Sequence, residues 1–265
     1  MNQRQLIAYW RKQDRKKLAY ERKYIRRFRR ALSNQIKPVL DYINQAQDPR
    51  IVVTQLDTLI TKDEIEKVFT DLHYEVGLDF LRSSAQGLKS SYGIMTTKQD
   101  EDEEFLELWQ LIIQRYIRED ALGDIVTILE TSRDDALRII QNIISQGLEE
   151  GWGIDEYSRE MRKQIPKEWR KRLFRAEVIA RTETGAAASF GSHQGALSTG
   201  LEFDKVWISI LDKATRDSHR FIAGERRKLR PDEPFSNGLL YPNQKGAPAE
   251  EVINCRCNVG YVRPL

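Results

Sequence analysis

From the N-terminus to about residue 198, apolar residues recur every three or four positions, the spacing that gives a helix one buried face. Ile25, Phe28, Leu32, Ile36 and Val39 form the first such stripe. No glycine precedes Gly77 and no proline precedes Pro38, so residues 1–46 are expected as one long helix. Asp48-Pro49 starts a short helix running to about Ile60, with Asp as cap and Pro at the first helical position. Thr61-Lys-Asp-Glu64 reads as a capping box. It opens a helix that turns Ile65, Val68, Phe69, Leu72, Val76, Phe80 and Leu81 inward and ends near Gly93. The polar stretch 96–104 reads as a loop, with acidic residues crowding the start of a helix that buries Phe105, Leu108, Trp109, Ile112, Ile113, Tyr116 and Ile117.

Three further helices follow. One covers about 133–149, buries Leu137, Ile140, Ile144 and Leu148, and stops at Gly151. One starts at Asp155 and is broken by Pro166. One covers about 168–198, and its second half (Gly185, Ala186, Ala187, Ala188, Ser189, Gly191) is small enough to pack closely on another element. Beyond Gly200 the period changes. Phe203 to Ile210 alternates polar and apolar, as a strand does. A short helix capped at Thr215 carries Arg216, His219 and Phe221, and prolines and glycines crowd residues 225–250 as structured loop and short strand. A last strand runs from Val252 to Val262. The expected fold is mainly α, with a small α+β subdomain of short strands at 201–265. The expected organisation is an N-terminal helical segment 1–46, a helical domain 47–130 and a C-terminal domain 131–265.

Charge alters the picture at the N-terminus. The net charge is +3, but residues 1–37 hold 13 Lys/Arg against 2 Asp/Glu, a net of +11, leaving the rest at −8. Such a basic arm suits nucleic acid, a membrane surface or an acidic partner, against the plainer reading of a solvated helix face. Arg22, Lys23, Arg26, Arg27, Arg29 and Arg30 surround the apolar stripe and are the candidate contacts. No base-reading motif accompanies them, so contact with DNA would be non-specific and salt-dependent. No apolar run approaches 18 residues, so no transmembrane helix and no membrane partner are expected.

The candidate chemistry sits at the other end. The chain has two cysteines, Cys255 and Cys257, and three histidines. Residues i and i+2 of a strand point the same way, so both sulfurs can reach one ion, with Asp212 and His219 as the natural third and fourth ligands of a structural zinc. The plainer reading makes the cysteines small buried hydrophobes and has His219 bond a carboxylate. Four side chains closing on one point would argue a structural ion, whereas three plus a cleft would argue a catalytic one. A metal-dependent hydrolase using Asp212, His219, Cys255 and Cys257 is the alternative function, and Glu183 is its one candidate general base. Arg181 and Glu183 otherwise read as ion-pair anchors holding the tail to the long helix, through Asp212, Arg216 or Arg256. His73 reads as a core-edge residue.

These pieces occur in an ordered series: Ile179-Ala-Arg-Thr-Glu-Thr184, Trp207, Asp212-Lys-Ala-Thr-Arg-Asp-Ser-His219, Pro234-Phe-Ser-Asn-Gly238, Tyr241-Pro242, Gly246-Ala-Pro-Ala-Glu250 and Ile253-Asn-Cys-Arg-Cys257. The series resembles the phage minor head protein family, the phage Mu F-like or SPP1 head-morphogenesis domain, over about residues 135–260. Arg181, Glu183, Asp212, Arg216, His219, Asn254, Cys255 and Cys257 are the matching positions. The resemblance implies a structural protein rather than an enzyme: a low-copy minor capsid component inside the procapsid and virion, assembled in the host cytoplasm. It implies contact with the portal protein and with capsid or scaffold proteins, and a role in assembly or DNA delivery. Some relatives carry a C-terminal toxin or enzyme domain; with eight residues after Cys257, none is expected here.

Overall fold

A computed structural model describes residues 3–95, 98–209 and 212–264, the side chains of 3–6 and 98–105 excepted. Expectations for Phe105, the acidic run 100–104 and Ile210 therefore lie outside what it describes. Helix makes up 71 % of the chain, and the described residues form one antiparallel pair of strands, so the fold is mainly α with a small α+β tail. Among the described residues no helix is long and apolar enough to cross a membrane.

In chain order, α1 spans Gln3–Asn34, α2 Lys37–Gln45, a 3-10 turn Pro49–Gln55, α3 Leu56–Leu59 and α4 Asp63–Ser91. α5 spans Lys98–Tyr116 with a π turn to Ala121, α6 Gly123–Glu150, α7 Ile154–Arg170 and α8 Arg175–Ser198. β1 spans Asp204–Ile208, α9 Asp217–Glu225, α10 Ala249–Val252 and β2 Asn258–Val262. Packing divides the chain into two units, each discontinuous in sequence.

The second unit comprises Ile25–Phe69 and Leu122–Ile179. Its core joins Val39 and Ile43 of α2, Val52, Ile60, Ile140 and Ile143 of α6, and Tyr157, Met161, Ile165 and Trp169 of α7. The expected single helix over 1–46 is broken at Gln35-Ile36, because Pro38 has no N–H and its ring excludes the carbonyl four residues back. Pro166, expected to end a helix, lies inside α7, whose face Tyr157, Met161, Ile165, Trp169 is buried throughout. That burial outweighs one missing hydrogen bond. The break falls after Arg170 instead, so the expected helix 168–198 begins at Arg175. The capping box at Thr61 does not form: Thr61 Oγ1 donates to Asp63 and the Glu64 carboxylate accepts from Asn34 at 2.7 Å. Leu148, expected inside, is exposed.

The first unit comprises Met1–Tyr24, Thr70–Ala121 and Ala180–Leu265. The small-residue half of α8 lies on α4. A Cβ at Gly191 or Gly195 would overlap the backbone carbonyl oxygen of Gly77 or Leu81, so the two helices meet backbone to backbone. Helix α5 begins at Lys98, inside the segment expected as a loop; it buries Trp109, Ile113 and Tyr116 but exposes Leu108. The strands β1 and β2 pair in the register Asp204↔Val262 to Ile208↔Asn258, so the expected strands at 203–210 and 252–262 are both shorter than read. Lys205 is fully buried on β1 and donates from Nζ to the carbonyls of Pro231 and Leu240, both at 2.9 Å. It thereby anchors the proline-rich loop, and burial pushes its pKa down to about 8.

Candidate metal centre and the signature residues

The tail folds onto the first turns of α1 and the middle of α8, all within the first unit. Cys255 and Cys257 lie in the extended lead-in to β2 rather than in the strand itself, yet their spacing still sends both sulfurs to one side. That side is α9. Cys255 Sγ lies 3.5 Å and Cys257 Sγ 3.4 Å from His219 Nδ1, and all three residues are buried. The other ring nitrogen, Nε2, lies 2.8 Å from Glu251 Oε2. A carboxylate there holds the proton on Nε2 and leaves the Nδ1 lone pair facing the sulfurs, as in a carboxylate–histidine–metal array. Asn237 and Ser218 donate to the same carboxylate and fix it in turn. Trp207 packs edge-on against the imidazole, with ring centroids 5.1 Å apart.

The electrostatics favour deprotonated sulfur. The hydrogen bond from Cys257, then those involving His219, pull the Cys255 thiol well below its ordinary pKa, while the proton shared with Cys255 pushes Cys257 up. Burial alone would lower the pKa of His219, but the sulfur of Cys255 and the Glu251 carboxylate outweigh it and raise it. Lys17 is buried, donates to the Cys257 carbonyl at 3.0 Å, and carries an ammonium whose pKa burial lowers against the pull of both sulfurs.

His219, Cys255 and Cys257 place their donor atoms within 4.8 Å of one another. A tetrahedral zinc with bonds of about 2.3 Å to sulfur and about 2.0–2.1 Å to nitrogen sets sulfur and nitrogen about 3.5 Å apart. The two observed separations match this edge, so the three residues fit such an ion. Asp212 stands outside the cluster. One of its oxygens pairs with Arg256, and the other accepts from the Ala214 amide at 3.0 Å and Thr215 Oγ1 at 3.1 Å. A cavity of about 40 Å³ adjoins the three donors, lined also by Thr215, Arg216, Asn254 and Arg256.

The remaining signature residues are fixed differently from the reading that tied Arg181 and Glu183 to Asp212, Arg216 or Arg256. Arg181 reaches Asn254 Oδ1 and Glu21, both at 3.4 Å, while the Asn254 amide donates to Thr182 Oγ1 at 3.1 Å. Asn254 takes the left-handed conformation, with φ 59°, which Asn tolerates better than most residues. Arg216 donates to the Ile253 carbonyl. Glu183 is buried and sits between His73 Nε2 at 2.9 Å and Lys245 Nζ at 2.6 Å. Burial opposes its ionisation, yet Lys245 and His73 hold its pKa down to about 2. It does not line the cavity beside His219, and that lining holds no carboxylate to act as a general base. His73 is thus a fully buried hydrogen-bond partner of Glu183 rather than a core-edge residue. Glu251, Lys17 and Lys245 are functional neighbours that the sequence reading missed.

On α1, Lys16 pairs with Asp79 at 2.9 Å, Lys23 with Glu75 at 2.5 Å and Arg29 with Glu177 at 3.4 Å. Arg22, Arg26 and Arg30 are exposed.

Residues 138–260 match the family described as phage Mu protein F like protein. Among curated proteins, the chain is 30 % identical over 131 residues to the NAD(+)–arginine ADP-ribosyltransferase EFV of Enterococcus faecalis, covering 47 % of this chain and 26 % of that one. It is 30 % identical over 146 residues to the minor head protein GP7 of Bacillus phage SPP1, covering 51 % of this chain and 44 % of that one. The chain therefore spans less than half the length of either relative. No solved structure matches it. The ordered signature from α8 to β2 lies inside residues 138–260, the part of the chain that matches the phage Mu protein F like family and is similar to the minor head protein of phage SPP1.

Proposed function

We propose that the chain is a minor capsid component acting in head morphogenesis, in procapsid assembly and in DNA packaging or delivery. On this reading it sits inside the head, is assembled in the host cytoplasm, and meets the portal protein, capsid or scaffold proteins and DNA. The observation that carries the reading is the family match over residues 138–260, which contains every residue of the signature. The exposed Arg22, Arg26 and Arg30 support a non-specific contact with phosphates. The triple substitution Arg22→Gln, Arg26→Gln, Arg30→Gln is expected to lower the salt dependence of DNA binding by about 3 in the slope of log K against log salt, roughly 0.9 per lost phosphate contact. Unchanged affinity and slope would sink the DNA contact, leaving α1 to an acidic protein surface. Pull-down with portal protein tests the assembly reading directly.

The three-donor centre is proposed to hold a zinc ion through His219, Cys255 and Cys257. Its support is the agreement between the sulfur–nitrogen separations and a tetrahedral edge, together with Glu251 behind the imidazole. Dialysed protein is expected to retain one equivalent of metal, and Cys255→Ser to lose it with a fall in melting temperature. Metal-free wild-type protein of full stability would refute the centre.

A further inference from the structure

We infer that the metal centre keeps its fourth coordination position open to the surface and takes there a carboxylate from outside the chain. This rests on the zinc reading above. Three donors converge from α9 and the lead-in to β2, and a tetrahedral ion needs a fourth. The neighbouring carboxylates are committed elsewhere. Asp212 is held by Arg256, Thr215 and the Ala214 amide, and Glu251 by His219, Asn237 and Ser218. Beside the donors lies a cavity of about 40 Å³. A water-sized group needs only about 10–15 Å³ measured this way, so one carboxylate end fits and a bulky ligand does not.

The charge around the cavity selects an anion. Two thiolates and a neutral imidazole cancel the charge of a divalent ion. Arg216 and Arg256 line the cavity, so the wall that faces the fourth position carries two guanidinium groups. A hard oxygen donor suits zinc, and the arginine forks suit a carboxylate beside it. Such a ligand would let an acidic side chain of a partner plug directly into the centre.

Cobalt(II) loaded into the full chain reports the fourth ligand through its visible d–d bands. Acetate is expected to shift those bands saturably, with half-effect on the order of millimolar, and chloride at the same concentration is not. A short peptide bearing one Asp that reproduces the shift assigns the ligand to a protein side chain; acetate acting while the peptide does not assigns it to a free acid. Cobalt bound with bands unmoved by acetate overturns the open position while the metal reading stands. An equal response to chloride overturns the carboxylate selection. Failure to take up cobalt overturns both readings together.

Discussion

His193 on α8 is buried against Tyr241 and Tyr261, whose hydroxyl lies 3.5 Å from its Nδ1. Burial, and then the charge of Lys205, lower its pKa to about 4. An unfolded histidine titrates near 6.5, so as pH falls the unfolded chain takes up this proton first. Stability is therefore complete above about pH 6.5 and falls between there and pH 4, by on the order of 3 kcal/mol from this group. Glu183 acts lower down. Its pKa is held near about 2, so its contribution is present above about pH 4.5 and lost as pH falls toward 2. Urea midpoints measured from pH 6.5 to 3 are expected to fall throughout, and His193→Gln to flatten the upper half only. A midpoint level from pH 6.5 to 4 in the wild type would contradict this. At this scale the sequence was readable where residue types are rare: two cysteines and a histidine announce a centre. It was opaque where they are common. Nothing in the spacing marks Glu251, Lys17 or Lys245 among 40 acidic and 43 basic residues, because their partners lie 32, 240 and 62 residues away.

Among elements, the contact of α8 with α4 is the most demanding, because two glycines stand where any side chain would strike backbone. Gly195→Val must push the helices apart or bend one, and overpacking of this kind costs about 1–3 kcal/mol or more. Gly87→Val on the same α4 meets nothing within 4 Å and is expected to be neutral or to stabilise by a few tenths of a kcal/mol, since glycine is the poorer helix former. Thermal melting of the two variants separates packing from propensity, and equal losses would mean that the close approach does not hold in solution. The small-residue run on α8 was legible as a contact face, and the inward face of α4 from Ile65 to Leu81 was legible residue by residue. Helix ends were not. Pro38 breaks a helix and Pro166 does not, and what separates them is the burial of the flanking face, which no local pattern carries. Likewise Leu108, Leu148 and Phe221 sit at helical spacing yet face outward.

For the molecule as a whole, the N-terminal helix changes character. Read from charge, residues 1–37 are an arm laid over the body. In the fold, Trp10, Lys17, Tyr24, Phe28 and Leu32 are buried, and Trp10 donates to the Arg256 carbonyl at 3.2 Å. Removing this segment would take core residues with it, which is why point neutralisation of Arg22, Arg26 and Arg30, and not truncation, separates binding from folding. Three of the segment's 13 basic residues, Lys16, Lys23 and Arg29, pair within the fold with Asp79, Glu75 and Glu177.

The hydrogen bond from Lys17 to the Cys257 carbonyl joins residues 240 positions apart. A ribosome adding about 5–20 residues per second makes the second partner some tens of seconds after the first. During that interval Trp10 has emerged while its partner Arg256 has not been made, so this part of α1 waits uncovered. The first unit cannot close before β2 has been made. A nascent chain of this design therefore holds that part of α1 open for longer than one whose contacts are local.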